Sequence, residues 1–128
     1  MLNLNRNTRL FFFQYIFQRD YSKDFELEDF VKKNLKKRPC NKKKLKSLYQ
    51  SFLSNHDLMR ELIDIEILKK TNKITIFLIY AFFSEYFINK NQKKILMSEY
   101  IKLSKDFLTI DEVKYFNFLL DNISKKAP

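Results

Sequence analysis

The sequence predicts an all-α, single-domain bundle of about six to seven helices. Apolar residues recur at three- and four-residue steps along nearly the whole chain, the spacing of one helix face. The 128 residues include no glycine and only two prolines, Pro39 and Pro128, which argues against tight hairpins and phosphate-cradling loops. The segments between apolar stripes are rich in Asn, Ser and Asp, which suit helix caps and connections. The length is enough for one domain with a core of its own. That core must be largely aromatic, because the chain holds 14 Phe and 7 Tyr.

Taken in order, "NRNTRLFFFQYIFQR" predicts a helix over about Asn5 to Arg19, capped by Asn3 or Asn5. Leu10, Phe12, Phe13, Ile16 and Phe17 give its apolar side, and Arg6, Gln14 and Gln18 its wet side. Arg9 falls near the margin. A strand would alternate, and "LFFF" does not. The second helix spans about Asp24 to Lys37, with Phe25, Leu27, Phe30, Val31 and Leu35 inward. Acids lead and bases follow, as the helix dipole favours. Pro39 disfavours helix at Arg38.

The third helix starts after Asn41, with Leu45, Leu48, Tyr49, Phe52 and Leu53 on one side. It runs on or breaks near "SNHD", where Asp57 can restart a helix burying Met59, Leu62, Ile63 and Ile67. "KKTNK" is the next break. The helix over about Lys73 to Ile88 is apolar almost all round and is therefore central, with Leu78 and Ala81 fully buried. After a loop with a possible cap at Asn91, a helix over about Gln92 to Phe107 buries Ile95, Leu96, Tyr100, Leu103 and Phe107. Thr109 and Glu112 have capping-box spacing before the last stripe, Val113, Phe116, Leu119, Leu120 and Ile123.

No membrane span is expected, since "ITIFLIYAFFS" offers eleven uncharged residues where about twenty are needed. The N-terminal residues lack the order of a secretory leader. One cysteine, Cys40, permits no disulfide framework, and a cytoplasmic setting is expected. Neither His56, the single histidine, nor Cys40 has the companions that catalysis or metal binding requires. His56 reads as a solvated loop residue. No enzyme, metal or cofactor is predicted.

Charge is the stronger signal. Lys and Arg number 25 against 15 Asp and Glu, a net +10. Residues 1–50 carry 13 bases and 5 acids, a net +8, so the positive field lies in that part. Nine bases and no acid fall between Lys32 and Lys46. This asymmetry favours a polyanionic partner. Lysines suit backbone phosphates, whereas arginines such as Arg6 and Arg9 grip phosphate bidentately or stack on bases.

The C-terminal stretch "KKILMSEYIKLSKDFLTIDEVKYFNFLLDNI" resembles the bacterial transcription antitermination factor NusB family, whose pattern is "NEAxxLAKxF", a short acidic turn, then "KFVNGxLDxL". Ser98, Glu99, Leu103, Ser104, Lys105 and Phe107 follow the first part. Asp111, Lys114, Tyr115, Asn117, Leu120 and Asp121 follow the second. Upstream, "ITIFLIYAFFSEYF" is similar to the family's "AILRLAxYEL", and "KLKSLYQSFL" to its third helix. The opening is similar to "RRRARExAxQALYQ", with Arg6, Arg9, Gln14 and Phe17 in register. The likeness spans nearly the whole chain at low identity, and its specificity lies in motif order and spacing.

The resemblance implies a non-enzymatic, all-helical factor. It would bind single-stranded boxA-type RNA together with the small-subunit ribosomal protein that acts as NusE. Both would serve the RNA polymerase antitermination complex, supporting processive transcription of ribosomal RNA operons. Arg6, Arg9 and Phe17, with Asp111, Lys114 and Tyr115, are the RNA-binding residues it implies. An alternative is a protein-interaction module of the same fold that has lost selective RNA binding. The chain departs from the pattern at Asn5 and Asn7, which replace arginines, and at Phe17, where the family has tyrosine. Phe118 and Leu108 replace glycines, and Ile74 replaces an acidic residue.

Overall fold

The computed structural model describes residues 4–21, 26–34 and 38–128. These form seven α-helices and, among the described residues, no strand: α1 (Leu4–Tyr21), α2 (Leu27–Asn34), α3 (Lys42–Leu62), α4 (Ile65–Lys70), α5 (Lys73–Tyr86), α6 (Lys93–Ser104) and α7 (Ile110–Lys126). The all-α bundle predicted from apolar spacing is therefore the observed one. No described residue has a positive φ, which fits a chain without glycine.

Helix α5 is the axis of the molecule, packed against α1, α3, α6 and α7. Every residue from Thr75 to Glu85 is buried, including Leu78 and Ala81. Ser51 explains how α3 lies close: its small side chain donates a hydrogen bond to the Ser84 carbonyl at 2.7 Å. Helix α1 contributes Phe11, Phe12, Phe13, Tyr15 and Ile16 to the same core. Burying an aliphatic or phenyl side chain of this size stabilises by roughly 1.5–3 kcal/mol. Phe11 and Tyr15 hold α2 through edge and tilted contacts with the Phe30 ring at 6.0 and 5.5 Å.

Local chemistry sets most helix starts. Asn41, Asp64, Asn72 and Thr109 accept from backbone N–H groups at the starts of α3, α4, α5 and α7. Thr109 and Glu112 form the reciprocal capping box that their spacing predicts. Asn5 caps nothing, since it lies inside α1, and Asn3 falls outside the described residues. A single 3-10 turn, Lys90–Gln92, leads into α6, and Gln92 rather than Asn91 occupies the cap position.

Several boundaries differ from the predicted ones. Of the two alternatives open at "SNHD", helix α3 takes the continuous one and runs on to Leu62. Asn55 turns its amide back onto the Ser51 carbonyl at 3.0 Å, and Phe52 and Met59 on the same helix are both buried, so packing outweighs the local preference for a break. His56 is therefore a helical, half-buried residue with its ring 4.9 Å from Phe52, not a loop residue. Ile65 to Lys70 form a helix of their own, capped by Asp64. Ile95 and Leu53, predicted inward, are 61% and 52% exposed, because each sits at the edge of a stripe narrower than the pattern suggests. Helix α2 is described over eight residues, and the predicted contributions of Asp24, Phe25, Leu35, Lys36 and Lys37 fall outside the described residues.

Candidate nucleic-acid interface

The start of α1 is built into the fold by three successive polar residues. The Asn7 amide donates to the Pro39 carbonyl at 3.1 Å. The Thr8 hydroxyl donates to the Leu4 carbonyl at 2.6 Å and accepts from the Asn41 N–H at 2.9 Å. Arg9 then turns inward onto α5. Its Nε and Nη2 donate to the two carboxylate oxygens of Glu85 at 2.8 and 2.9 Å. Such a planar, bidentate pair is the strong form of the interaction.

Glu85 is 1% exposed and collects further partners. The Tyr100 hydroxyl donates to Oε1 at 2.9 Å, and Lys44 Nζ lies 3.1 Å from Oε2. The Arg9 guanidinium also sits 5.9 Å from the centre of the Tyr100 ring, and its Nη1 lies 3.8 Å from Glu99. Burial alone would raise the Glu85 carboxyl pKa. Arg9, through hydrogen bonds and charge, and then Lys44 outweigh burial and hold it below the usual carboxylate value. Burial and then the Glu85 charge push the Tyr100 hydroxyl well above its ordinary value, so it stays protonated and donating. Among the described residues, no buried side-chain nitrogen or oxygen lacks a hydrogen-bond partner.

This cluster corrects the expectation for Arg9. It is 8% exposed, and its guanidinium is committed to Glu85 rather than offered to a phosphate in solvent. Arg6, one turn earlier, is exposed. The hydrogen bond that Asn7 donates to Pro39 and the one that Thr8 accepts from Asn41 bring this start of α1 beside Arg38 and the first turn of α3. Lys43 and Lys44 border an opening of about 300 Å³ over Glu85, shared with Asn89 beyond α5.

Phe17 is half-buried. Its ring meets Phe77 at 5.7 Å and Tyr21 at 5.5 Å, with the Lys73 ammonium 5.5 Å from its centre, so much of the surface that a base would stack on is already engaged. Asp111 and Lys114 are exposed near the start of α7, and Tyr115 is 37% exposed with its hydroxyl 3.4 Å from Thr71 Oγ1.

These residues do not converge. Arg9 meets α5 at Glu85, near that helix's C-terminal end. The α7 residues flank the other end, where Asn72 donates to Glu112 at 2.6 Å. Thirteen residues separate Asn72 from Glu85, which corresponds to about 20 Å along a helix. Phe17 lies toward the Asn72 end through Lys73 and Phe77.

Glu85 and Thr8 are not among the residues that the sequence singles out, and Asn7 enters there only as the replacement of an arginine. Glu85 carried a usable signal, being the one charged residue from Ile74 to Tyr86 in a helix apolar all round. A carboxylate there requires a cation drawn from elsewhere in the chain. Cys40 is an ordinary thiol, pushed up by burial that Lys42 offsets only in part. Among the described residues, no group of His, Cys, Asp and Glu is arranged to hold a metal, and no helix is long and apolar enough to cross a membrane. No protein-family model, curated protein or solved structure matches the chain.

Proposed function

We propose that the chain is a NusB-like antitermination factor, non-enzymatic, that binds boxA-type single-stranded RNA with a NusE-type ribosomal protein in a cytoplasmic RNA polymerase complex. The observation that carries this reading is the ordered series of family-like motifs along nearly the whole sequence, in a chain whose fold is an all-α bundle. The basic edge formed by Arg6, Arg38 and Lys43 supports it electrostatically, because all three are exposed around the start of α1. Asp111, Lys114 and Tyr115 enter this reading as a second contact area, reached by an extended strand rather than by one compact pocket.

The test is fluorescence anisotropy with a boxA-type RNA over a salt series, with and without the ribosomal protein. Arg6→Gln lowers the slope of log affinity against log salt by about 0.7 if one phosphate contact is lost. Lys69→Gln, an equal change in charge on α4, leaves the slope unchanged. Equal losses in both variants contradict a localised interface.

A second reading has one observation in its favour. Arg9, one of the two arginines assigned to RNA, is spent inside the fold. A protein-interaction module that has given up selective RNA binding would bind the ribosomal protein normally while failing to prefer boxA over a scrambled RNA.

A further inference from the structure

The lysine run is not one track. Lys43 and Lys44 border the opening above Glu85, whereas Lys42 and Lys46 turn the other way, toward α2. There they rim a cleft of about 200 Å³ whose floor is Leu27, Val31 and Leu45. Lys32 completes the basic rim from the α2 side. Lys32, Lys42 and Lys46 are exposed, and none has a carboxylate partner among the described residues. Lys44, Lys73, Lys93, Lys102 and Lys125 all do.

We propose that this α2–α3 cleft docks an acidic segment of a partner protein, which seats one apolar side chain on the Leu27–Val31–Leu45 floor and sets its carboxylates against Lys32, Lys42 and Lys46. The size selects the occupant. Small-molecule sites usually enclose about 300–1,000 Å³, and this cleft is smaller. It suits a single anchor residue, the way a binding hot spot fills a pocket. The chemistry of the floor selects protein over nucleic acid. A single-stranded RNA site uses aromatic faces on which bases stack, and this floor is aliphatic. Glu28 on the same rim also opposes a continuous row of phosphates, while a peptide can place an amide or a basic residue there. The proposal stands independently of the RNA reading, because it uses the face of α3 turned away from the Glu85 opening.

The test pans a displayed library of short random peptides on the full chain, with counter-selection on the Lys42→Glu/Lys46→Glu variant. The expected result is enrichment of sequences with a Leu, Ile, Met or Phe flanked by acidic residues. A synthesised winner should bind the double variant at least about tenfold more weakly than the parent chain, as expected when complementary charge becomes like charge. Lys69→Glu/Lys70→Glu, equal in charge and placed on α4, should leave its binding unchanged. Val31→Phe, which fills the cleft without altering charge, should weaken it too, with circular dichroism confirming that each variant is folded. No enrichment, enrichment without acidic residues, or equal loss in both charge-reversed variants overturns the proposal. So does loss of oligouridine binding in the Lys42→Glu/Lys46→Glu variant with peptide binding intact, which would assign the face to nucleic acid.

Discussion

At the start of α1, Arg9 is withdrawn from solvent and bound through two hydrogen bonds to Glu85. At the start of α3, Lys42 and Lys46 stand exposed and, among the described residues, in no ion pair, although Glu28 shares the rim of their cleft. Both regions raise the net charge of the N-terminal part equally, residue for residue. The Arg9 charge is offset inside the fold by Glu85, whereas Lys42 and Lys46, like Arg6, add to the field that a partner meets. A count of basic residues therefore overstates the usable positive surface wherever the fold neutralises a cation internally. The two regions also differ in what they contribute to folding. The first ties α1 to α3, α5 and α6 through a buried polar cluster, and the second lies on the surface.

Breaking the first region should have the largest effect. Arg9→Gln leaves the Glu85 carboxylate buried with Lys44 as its remaining cation, so destabilisation of about 3–5 kcal/mol is expected, toward the lower end because Lys44 stays. Urea unfolding monitored by circular dichroism measures it. A loss below about 0.5 kcal/mol would place Arg9 with the surface charges instead.

Acid should expose the same contrast. The Glu85 pKa is depressed in the folded state, so the stability it contributes is complete above the ordinary carboxylate value of about 4.5 and drains away as pH falls through the lower folded value. Glu85→Gln should start less stable at neutral pH and decline less steeply on the acid side. An unchanged acid-side slope would show that Glu85 is not the titrating element. The smallest effect belongs to the second region. Lys42→Gln/Lys46→Gln should change stability by no more than about 0.5 kcal/mol, as exposed substitutions without partners do, whatever it does to binding.

What the sequence made legible follows the range of each interaction. The α7 capping box joins residues three positions apart, and the buried run of α5 is continuous, so both can be read from local pattern. The Arg9–Glu85 pair joins residues 76 apart, and no local spacing reports it. Arg9 falls at the apolar margin of α1, and that position is compatible with either a snorkelling surface arginine or a buried one. The difference is settled by α5, which brings a carboxylate to that point. Helix α3 shows the reverse case. "SNHD" is locally a fair place to stop, yet Phe52 and Met59 on either side of it both enter the core, and the helix continues. For the six residues assigned to RNA, sequence order could not reveal that they divide between the two ends of α5.

The most direct test of the internal pairing is a double-mutant cycle on Arg9→Gln and Glu85→Gln, with unfolding free energies measured by urea at neutral pH. Each single variant leaves one member of the pair with only its lesser partner, Lys44 for Glu85 or Glu99 for Arg9, whereas the double variant removes both charges together. The double variant should be less destabilised than the sum of the singles, by about 1.5–3 kcal/mol, within the range of coupling found for residues in contact. Additive losses, with coupling below about 0.3 kcal/mol, would contradict it and return Arg9 to the solvent-facing charge of the α1 start.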